Sequence, residues 1–564
     1  MTDKTHNHPD ASVVSEALNN PNEPTPTALQ QRRQVILAGK YSTITESATA
    51  IYEAEKNLGE LYLTGGAVSM ITKTDDRPYI QPLAPTAAQS RFEKNITLVQ
   101  IAKEGPVNGI LTDKMAAAIL AAECRSMLPK LHTIVEWPFL VVRDGKLESL
   151  SPGYNAQEGI YVASAQSVET MSVEEAVTLL KDELLGEFSF LRPSDQSRAI
   201  AAILTPALSI GRLINGFAAP TVFEATQSQT GKGTCVRCIE GVNGEPGTYI
   251  NKRTGGVGSL DESIDGALVE GRPIIVLDNL RGSLNSEALE SILTKDRHKA
   301  RTPYRSFVNV DTSRFCLFIT SNGADFTPDM ANRISVVRLR KRPNHKFRRY
   351  PEGLIDRHAA AHVPRFLGAI HAVIKAWFEA GRPQTDETRH TFLAWCQSLD
   401  WIVQHIFRCS PLMDDHEAVR DRLSRPGLGF LRLLSVAVEK AQKLGEDLRA
   451  QELFNIAEEH QVDIPNASRG FIDDESKGAR MVGRIMARAF GDAMEVNLEE
   501  YRVTREQMDA TEICHHPTRI YRFERFEDAN WQADTLRPTA SNCGEGASPT
   551  PPAVPEDESL VLTQ

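Results

Sequence analysis

The segment Val222–Thr234 constrains this chain most. It reads Val-Phe-Glu-Ala-Thr-Gln-Ser-Gln-Thr-Gly-Lys-Gly-Thr. A short apolar strand runs into a polar loop, and Gly231-Lys232 closes the loop before a helix that starts near Cys235. Such a loop can wrap phosphates, because backbone N–H groups and a helix N-terminus face the anion while a lysine reaches its terminal oxygens. Against the pattern GxxxxGK[ST], Thr226 stands at the first glycine and Gly233 at the hydroxyl position, with Thr234 one residue later. Gln229, Thr230, Gly231, Lys232, Gly233 and Thr234 are the candidate phosphate-binding residues. A Gly-Lys pair in a loop is also a common turn, so the reading depends on the segments downstream.

Arg272–Asn279 is the first of these, Arg-Pro-Ile-Ile-Val-Leu-Asp-Asn. A buried strand that ends in a carboxylate is what holds Mg²⁺ beside phosphates, and Asp278 is that carboxylate. Asn279 takes the next position. Phe315–Asn322 is a second apolar strand, ending in Ser-Asn, and Asn322 at its tip can reach a γ-phosphate or orient water. Asp329–Leu339 brings Arg333 to the start of a further strand, where an arginine can act on a neighbouring subunit's nucleotide. Glu224, at the end of the strand before the loop, is the nearest carboxylate to serve as a hydrolytic base.

Short apolar strands (221–223, 248–250, 274–277, 315–320 and 335–339) alternate with helices from about 218 to 340. That pattern indicates a three-layer α/β domain. Blocks of other character surround it. Residues 1–33 and 536–564 are rich in Pro, Asn, Thr and charge and are expected to be disordered. Residues 34–165 are mixed α+β, with Gly65-Gly66 marking a hairpin turn. Residues 166–217 read as a helical lead-in opened by a Ser172/Glu175 capping box. Residues 351–426 carry long helices, expected at 359–380 and 385–407. Residues 427–526 read as helices followed by a two-stranded wing.

Composition excludes several classes. The 564 residues are 41% hydrophobic and 24% charged, an ordinary globular balance. Eight cysteines are too sparse for a disulfide scaffold. Cys235 and Cys238 form one CxxC with no second pair, so they read as packing residues, and Cys514-His515-His516 reads as a turn. The apolar stretch near 200–223 is interrupted by Pro206, Arg212 and Asn215, so no membrane span is expected. The start of the chain lacks a secretory signal, and the expected compartment is the cytoplasm.

Charge is uneven. The net charge is -11, yet 295–349 holds 14 Lys and Arg against 4 Asp. Two clusters, 295–305 and 338–349, form a basic patch on an acidic protein, which suits a phosphate backbone as well as a solvated face. Lys299, Arg301, Arg305 and Arg314 are the candidate nucleic-acid contacts. Arg480, Arg484 and Arg488 fall on one face of a later helix, which suits DNA phosphates or solvent equally.

The Gly-Lys loop, the strand ending Asp278-Asn279, the strand ending Asn322 and the stretch Asp329-Met-Ala-Asn-Arg333 come in an order that resembles the AAA+ ATPases. More narrowly, they resemble helicase-like ATPases of phages and integrative mobile elements, akin to superfamily 3 replicative helicases. Tyr62–Gly66, Pro152-Gly153-Tyr154 with Gly159-Ile160-Tyr161, and the helix around Trp395 look like those proteins too. The resemblance implies an α/β fold with a three-layer AAA+ P-loop ATPase core at 218–350, an N-terminal α+β accessory domain and a C-terminal helical, winged-helix region. It implies ATP and Mg²⁺, with Lys232 on the β/γ-phosphates, Asp278 and Thr234 on the metal, Asn322 as first sensor and Arg333 acting in trans. Asn332 stands where the family has a first arginine. It further implies self-association into a ring, a hexamer, with a pore-facing hairpin before the 315–320 strand whose tip is expected near 309–314, and single-stranded or forked DNA as partner, with a primase or replication initiator beside it. The expected activity is ATP-dependent DNA helicase or translocase work in replication of a phage or other mobile element. The departures at Thr226, Gly233 and Asn279 support an alternative, a nucleotide-gated DNA-binding or assembly ATPase with little or no hydrolysis. A nucleotide kinase, suggested by Gly-Lys-Gly-Thr alone, is a third reading, opposed by the other motifs.

Overall fold

The computed structural model describes residues 32–74, 77–225, 230–251, 259–280, 283–284, 286–301, 307–322, 324–341, 347–424, 427–462, 464, 475–498, 500–508 and 518–526. Gln229, Thr226, Arg305, the Cys514-His515-His516 turn and nearly all of both termini expected to be disordered lie outside them. A strand, Arg33–Ile36, already begins at the last residue of the first of those segments.

Five strands form the central sheet, all parallel. Their order is Thr248–Asn251, Ile274–Leu280, Cys316–Ser321, Thr221–Glu224, Ser335–Arg338. Parallel sheets bury both faces, which is why these strands read as continuous apolar runs. Side chains alternate between two cores. Phe223, Ile274, Val276, Phe318 and Val337 join one core with the helices Pro193–Ile210, Lys232–Asn243 and Val363–Glu379. Val222, Ile275, Leu277, Ile319 and Val336 join the other with the helix Leu260–Glu270. The result is a helix–sheet–helix sandwich in which every expected strand of the block is present. Because the strands run the same way, Glu224, Asn251, Asp278 and Ser321 share one carboxyl-end edge, where ligands of such sheets bind.

The neighbouring blocks pack against this layer. In the N-terminal block, Tyr62–Thr64, Ala67–Thr74 and Arg77–Pro82 form an antiparallel meander. Gly65 and Gly66 make its first turn with φ of 57° and 91°. The lead-in opens with the Ser172/Glu175 capping box, Glu175 N to Ser172 Oγ at 3.2 Å and Ser172 N to Glu175 Oε2 at 3.0 Å. It is not one helix: a π-helical turn, Thr178–Leu184, precedes an extended break, and Pro193 restarts the helix at its first position.

After the sheet come helices Ile355–Ala361, Val363–Glu379 and Leu393–His405. The helix expected from Thr385 starts eight residues later. The Glu387 carboxylate takes the N–H groups of Thr388 and Arg389 at 2.9 and 2.7 Å, and His390 Nδ1 takes that of Phe392 at 3.0 Å. These side chains satisfy the backbone locally and displace helical bonds. The C-terminal block has helices Leu428–Lys440, Ala450–Glu459 and Glu475–Phe490. Its antiparallel sheet has four strands, because Asp447–Arg449 and Glu495–Asn497 flank the long hairpin Tyr501–Met508/Thr518–Arg525.

Candidate functional site

Gly231 caps the helix Lys232–Asn243 in a left-handed conformation, φ 94°. A Cβ at this glycine would also come within 3.0 Å of Phe347 Cζ and 3.2 Å of Phe188 Cε1. Cys235 N makes the first helical bond, to Gly231 O at 2.8 Å. The N–H groups of Lys232, Gly233 and Thr234 therefore precede the helical ladder and face outward at its positive end, as an anion site requires. The hydroxyl of Thr230 is buried with no partner among the described residues.

Lys232 Nζ donates to Asn322 Oδ1 at 2.6 Å. Asn322 Nδ2 in turn approaches Asn279 Oδ1 at 3.4 Å. Between Leu277 and Leu280 the strand register shifts, so Asp278 and Asn279 bulge from the ladder, with Asn279 at φ 53°. Thr320 repairs the interruption: its hydroxyl donates to Asp278 Oδ1 at 2.6 Å and accepts from Asn279 N at 2.7 Å. Four of the expected site residues thus converge on one sheet edge, tied together by a threonine to which no sequence motif points. Burial pulls the Lys232 ammonium below its ordinary value, while Glu224 and Asp278 oppose that pull. An incoming phosphate would supply the missing counter-charge.

Glu224 is fully engaged. Arg422 Nη2 lies 2.6 Å from its Oε2, and Arg432 Nη1 lies 2.8 Å from its Oε1. Burial would raise this carboxyl, but the two guanidiniums outweigh it and hold the group well below the usual carboxylate range. In this arrangement Glu224 is the anchor of an ion cluster and not a poised base. Arg422 belongs to the helix His416–Ser424 and Arg432 to the first helix of the C-terminal block. The carboxylate thereby links the strand before the Gly231-Lys232 loop to the C-terminal block.

Thr234 Oγ1 accepts from Arg237 Nη2 at 3.2 Å, and Arg237 Nε is 2.6 Å from Asp356. Arg333 is not drawn into the cluster; it pairs with Asp329 within its own turn. Cys235 and Cys238 are buried free thiols in the core beneath the loop helix, as packing residues would be.

The basic segment folds into a hairpin, Arg297–Arg301 against Phe307–Asp311. Asn309–Asp311 lie within the second strand, so the tip is not at 309–314, and residues 302–306 between the two strands lie outside the described residues. His298, Ala300, Val308 and Val310 face the core, so Arg297, Lys299, Arg301, Phe307 and Asn309 face solvent. The Arg301 guanidinium sits 6.0 Å from the Phe307 ring centroid. Neither Arg297 nor Phe307 was among the expected contacts, although the period-two alternation carries both. His298 Nε2 on Asp265 Oδ1 at 2.6 Å and Arg301 N on Asp265 Oδ2 at 2.8 Å clamp the hairpin to Leu260–Glu270. Gly65 O accepts from Asn309 N at 3.1 Å, and a Cβ on Gly65 would collide with this strand.

Arg314 does not belong to that face. It is buried, donates to Ile210 O and to Glu158 O, and burial pushes its guanidinium down to about 10. Its charge serves the carbonyls of an adjoining helix end and loop. Arg338, from the second basic cluster, is likewise buried, against Asp195 and Asp415. Arg480, Arg484 and Arg488 are exposed along one face of Glu475–Phe490. No helix among the described residues is long and apolar enough to cross a membrane.

The chain matches no protein-family model and no curated protein. Among solved structures it is similar to the apo A form of the NrS-1 C-terminal region, at 12% identity and TM-score 0.34, covering 84% of this chain and 98% of that one. A second structure of that region, 305–718, gives 12% identity and TM-score 0.32, covering 79% and 92%. A structure titled "SCCmec type IV Cch - active helicase" gives 14% and 0.28, covering 82% and 91%. At such low TM-scores the functional reading rests on this chain's own residues.

Proposed function

We propose that this chain is an ATP-dependent DNA helicase or translocase of the AAA+ type, working as a ring in replication of a phage or other mobile element. One observation carries the reading: the line Lys232–Asn322–Asn279, with Asp278 held beside it by Thr320, lies at the carboxyl edge of a five-stranded parallel sheet whose loop helix opens its N-terminus there. A triphosphate fits that set. The helix N-terminus and Lys232 would take the β- and γ-phosphates, and Thr230 would gain a partner for its hydroxyl. Asp278, part-exposed at its bulge, and Thr234, in the first turn of the helix, would hold Mg²⁺. Bound there, the ion would neutralise charge on the β- and γ-oxygens. Asn322 would pass from Lys232 to the γ-phosphate, and Asn279 would orient the attacking water. Arg333 would act on the nucleotide of a neighbouring subunit, which suits a residue that lies outside its own subunit's cluster. The exposed face of the hairpin's described strands, with Arg297, Lys299, Arg301 and the Phe307 ring, has the chemistry of a single-strand track.

A second reading rests on Glu224. While Arg422 and Arg432 hold it, Glu224 is not available to take a proton from water. In this reading ATP is a switch: its phosphates compete with Glu224 for the arginines, and the C-terminal block is released without efficient turnover. ATP hydrolysis with and without single-stranded DNA, with Lys232→Ala as control, separates the two. DNA-stimulated turnover lost in the variant supports the motor. Tight ATP binding without turnover supports the switch, and absence of ATP binding rejects both.

A further inference from the structure

Away from the phosphate edge, three metal-ligating side chains converge. The ligand atoms of Glu352, His358 and His362 all lie within 4.8 Å of one another. His358 Nδ1 is 2.9 Å from Glu352 Oε2, and His362 Nε2 is 3.0 Å from Glu352 Oε1. We infer that this trio is a binding site for a divalent transition metal, Zn²⁺ being the best fit.

Each member is held by its own piece of local structure. Tyr350 and Gly353 exchange both backbone hydrogen bonds, at 2.7 and 3.0 Å, and Gly353 takes φ 129°. Glu352 is thus fixed within a tight turn. His358 lies in the helix Ile355–Ala361 and His362 is its C-cap, so the two are four residues apart on one helical face. Tyr350 stacks on the His358 ring, with centroids 4.2 Å apart and planes at 18°. Phe366 meets the other side edge-on at 88°. These packed rings orient one imidazole, and the His362 ring lies 4.5 Å from it.

The donor set selects the ion. Two imidazole nitrogens and one carboxylate oxygen suit Zn²⁺, whereas Mg²⁺ and Ca²⁺ prefer oxygen alone. A tetrahedral ion with bonds of about 2.0–2.1 Å spaces its donors about 3.3 Å apart. The two Glu352–imidazole separations, 2.9 and 3.0 Å, fall a little short of that value, so small rotamer adjustments would fit the donors around an ion. Three protein ligands leave a fourth position for water or a partner's side chain. Histidines at a helix C-terminus also favour its dipole without any metal, and that simpler role is the competing account.

The position gives the ion a structural consequence. Helix Ile355–Ala361 lies on the loop helix, with Gly241 against Ala359 and Ala360. Its Asp356 holds Arg237, which reaches Thr234. A bound ion would lock the turn to the helix that braces the phosphate loop from behind.

The test is a Zn²⁺ titration of the full chain after chelator treatment, by calorimetry, with Co²⁺ as a visible-absorption probe. One equivalent per chain is expected. His6→Ala/His8→Ala, which clears the histidines of the N-terminal segment, keeps it, and His358→Ala/His362→Ala loses it. Loss of even an outer-shell partner costs metal sites about 10–100-fold in affinity, so Glu352→Gln weakens binding by at least that much. Wild-type protein that takes up no Zn²⁺ overturns the site, as does an equivalent that persists in the double variant. Should the double variant fail to fold, the exposed His362→Gln decides: an unchanged Co²⁺ spectrum rejects the assignment and a weakened, shifted one supports it.

Discussion

Lys232 Nζ and Asn322 Oδ1 are 2.6 Å apart, so the loop lysine meets the residue that follows the strand Cys316–Ser321 directly. The pair holds Lys232 at the sheet edge. Replacing each residue separates binding from chemistry. Lys232→Ala is expected to abolish ATP binding. Asn322→Ala is expected to keep binding and lower turnover by about 10²-fold, the usual cost of removing one donor from developing oxyanion charge. Equilibrium nucleotide binding and single-turnover hydrolysis read the two effects. Equal losses of binding in both variants would remove Asn322 from the chemical step.

Glu224 is predicted to be worth more to stability than a surface acid. Glu224→Ala removes the carboxylate shared by the buried Arg432 and the half-buried Arg422, and breaking a buried pair costs about 3–5 kcal/mol. Urea unfolding measures it, and the transition should shift in the C-terminal block as well as in the sheet. Glu224→Gln keeps the shape but not the charge. If its turnover equals that of wild type, Glu224 is an anchor alone and the switch reading gains.

The hairpin makes a prediction with two separable parts. Arg297→Ala, Lys299→Ala and Arg301→Ala should each weaken single-stranded DNA binding and flatten its salt dependence, the slope falling by about 0.7 for each phosphate left without its cation. Phe307→Ala should lower affinity by about 1–3 kcal/mol, the cost of a lost base stack, with the slope unchanged. Fluorescence anisotropy across a salt series tests both. Arg314→Lys serves as the contrast: as a buried residue it should change thermal stability and leave the DNA salt slope as it was.

Range decides which features the sequence makes legible. Strands buried on both faces are continuous apolar runs, so 274–277 and 316–319 are visible one residue at a time. Parallel strands bring their tips to one edge, so the order of Lys232, Asp278 and Asn322 already implies a meeting. Glu224 shows the limit, since its partner Arg422 is 198 residues away and no local pattern joins them. Arg314 misleads for a related reason. A lone arginine in a basic run reads as surface, and only the carbonyls of Ile210 and Glu158 reveal it as interior. The resemblance places the hairpin tip too far along the chain, whereas the alternation of His298, Ala300, Val308 and Val310 sets the register.

Acid should destabilise the helical region 351–426 through buried histidines, His390 and His416 among them. Burial depresses His390 to about 3 and His416 to about 4, against an ordinary 6.5, with their rings 5.4 Å apart. Unfolded, both take a proton near pH 6.5; folded, they resist until the lower values. The unfolded chain therefore binds more protons in that window, so stability is full above about pH 6.5 and falls as pH drops toward 4. Tm measured from pH 7.5 to 4.5 should decline, and His416→Gln should flatten the decline. An identical slope in the variant would assign the acid sensitivity to other groups.

Arg333 tests the ring. It pairs with Asp329 in its own turn and has no described contact with Lys232, Asp278 or Asn322. If it serves a neighbour, Arg333→Ala should bind ATP normally while turnover falls by about 10³-fold, the lower range for an arginine supplied in trans. Mixing decides whose site it serves. Lys232→Ala subunits have a dead loop and a sound Arg333; Arg333→Ala subunits have the reverse. In a mixed ring some interfaces join a sound loop to a sound arginine, so two inactive proteins together should regain turnover. The gain should need association and vanish at dilutions where the ring dissociates. Arg333→Ala with full activity by itself, or a mixture as inactive as its parts, would remove Arg333 from the neighbour's site.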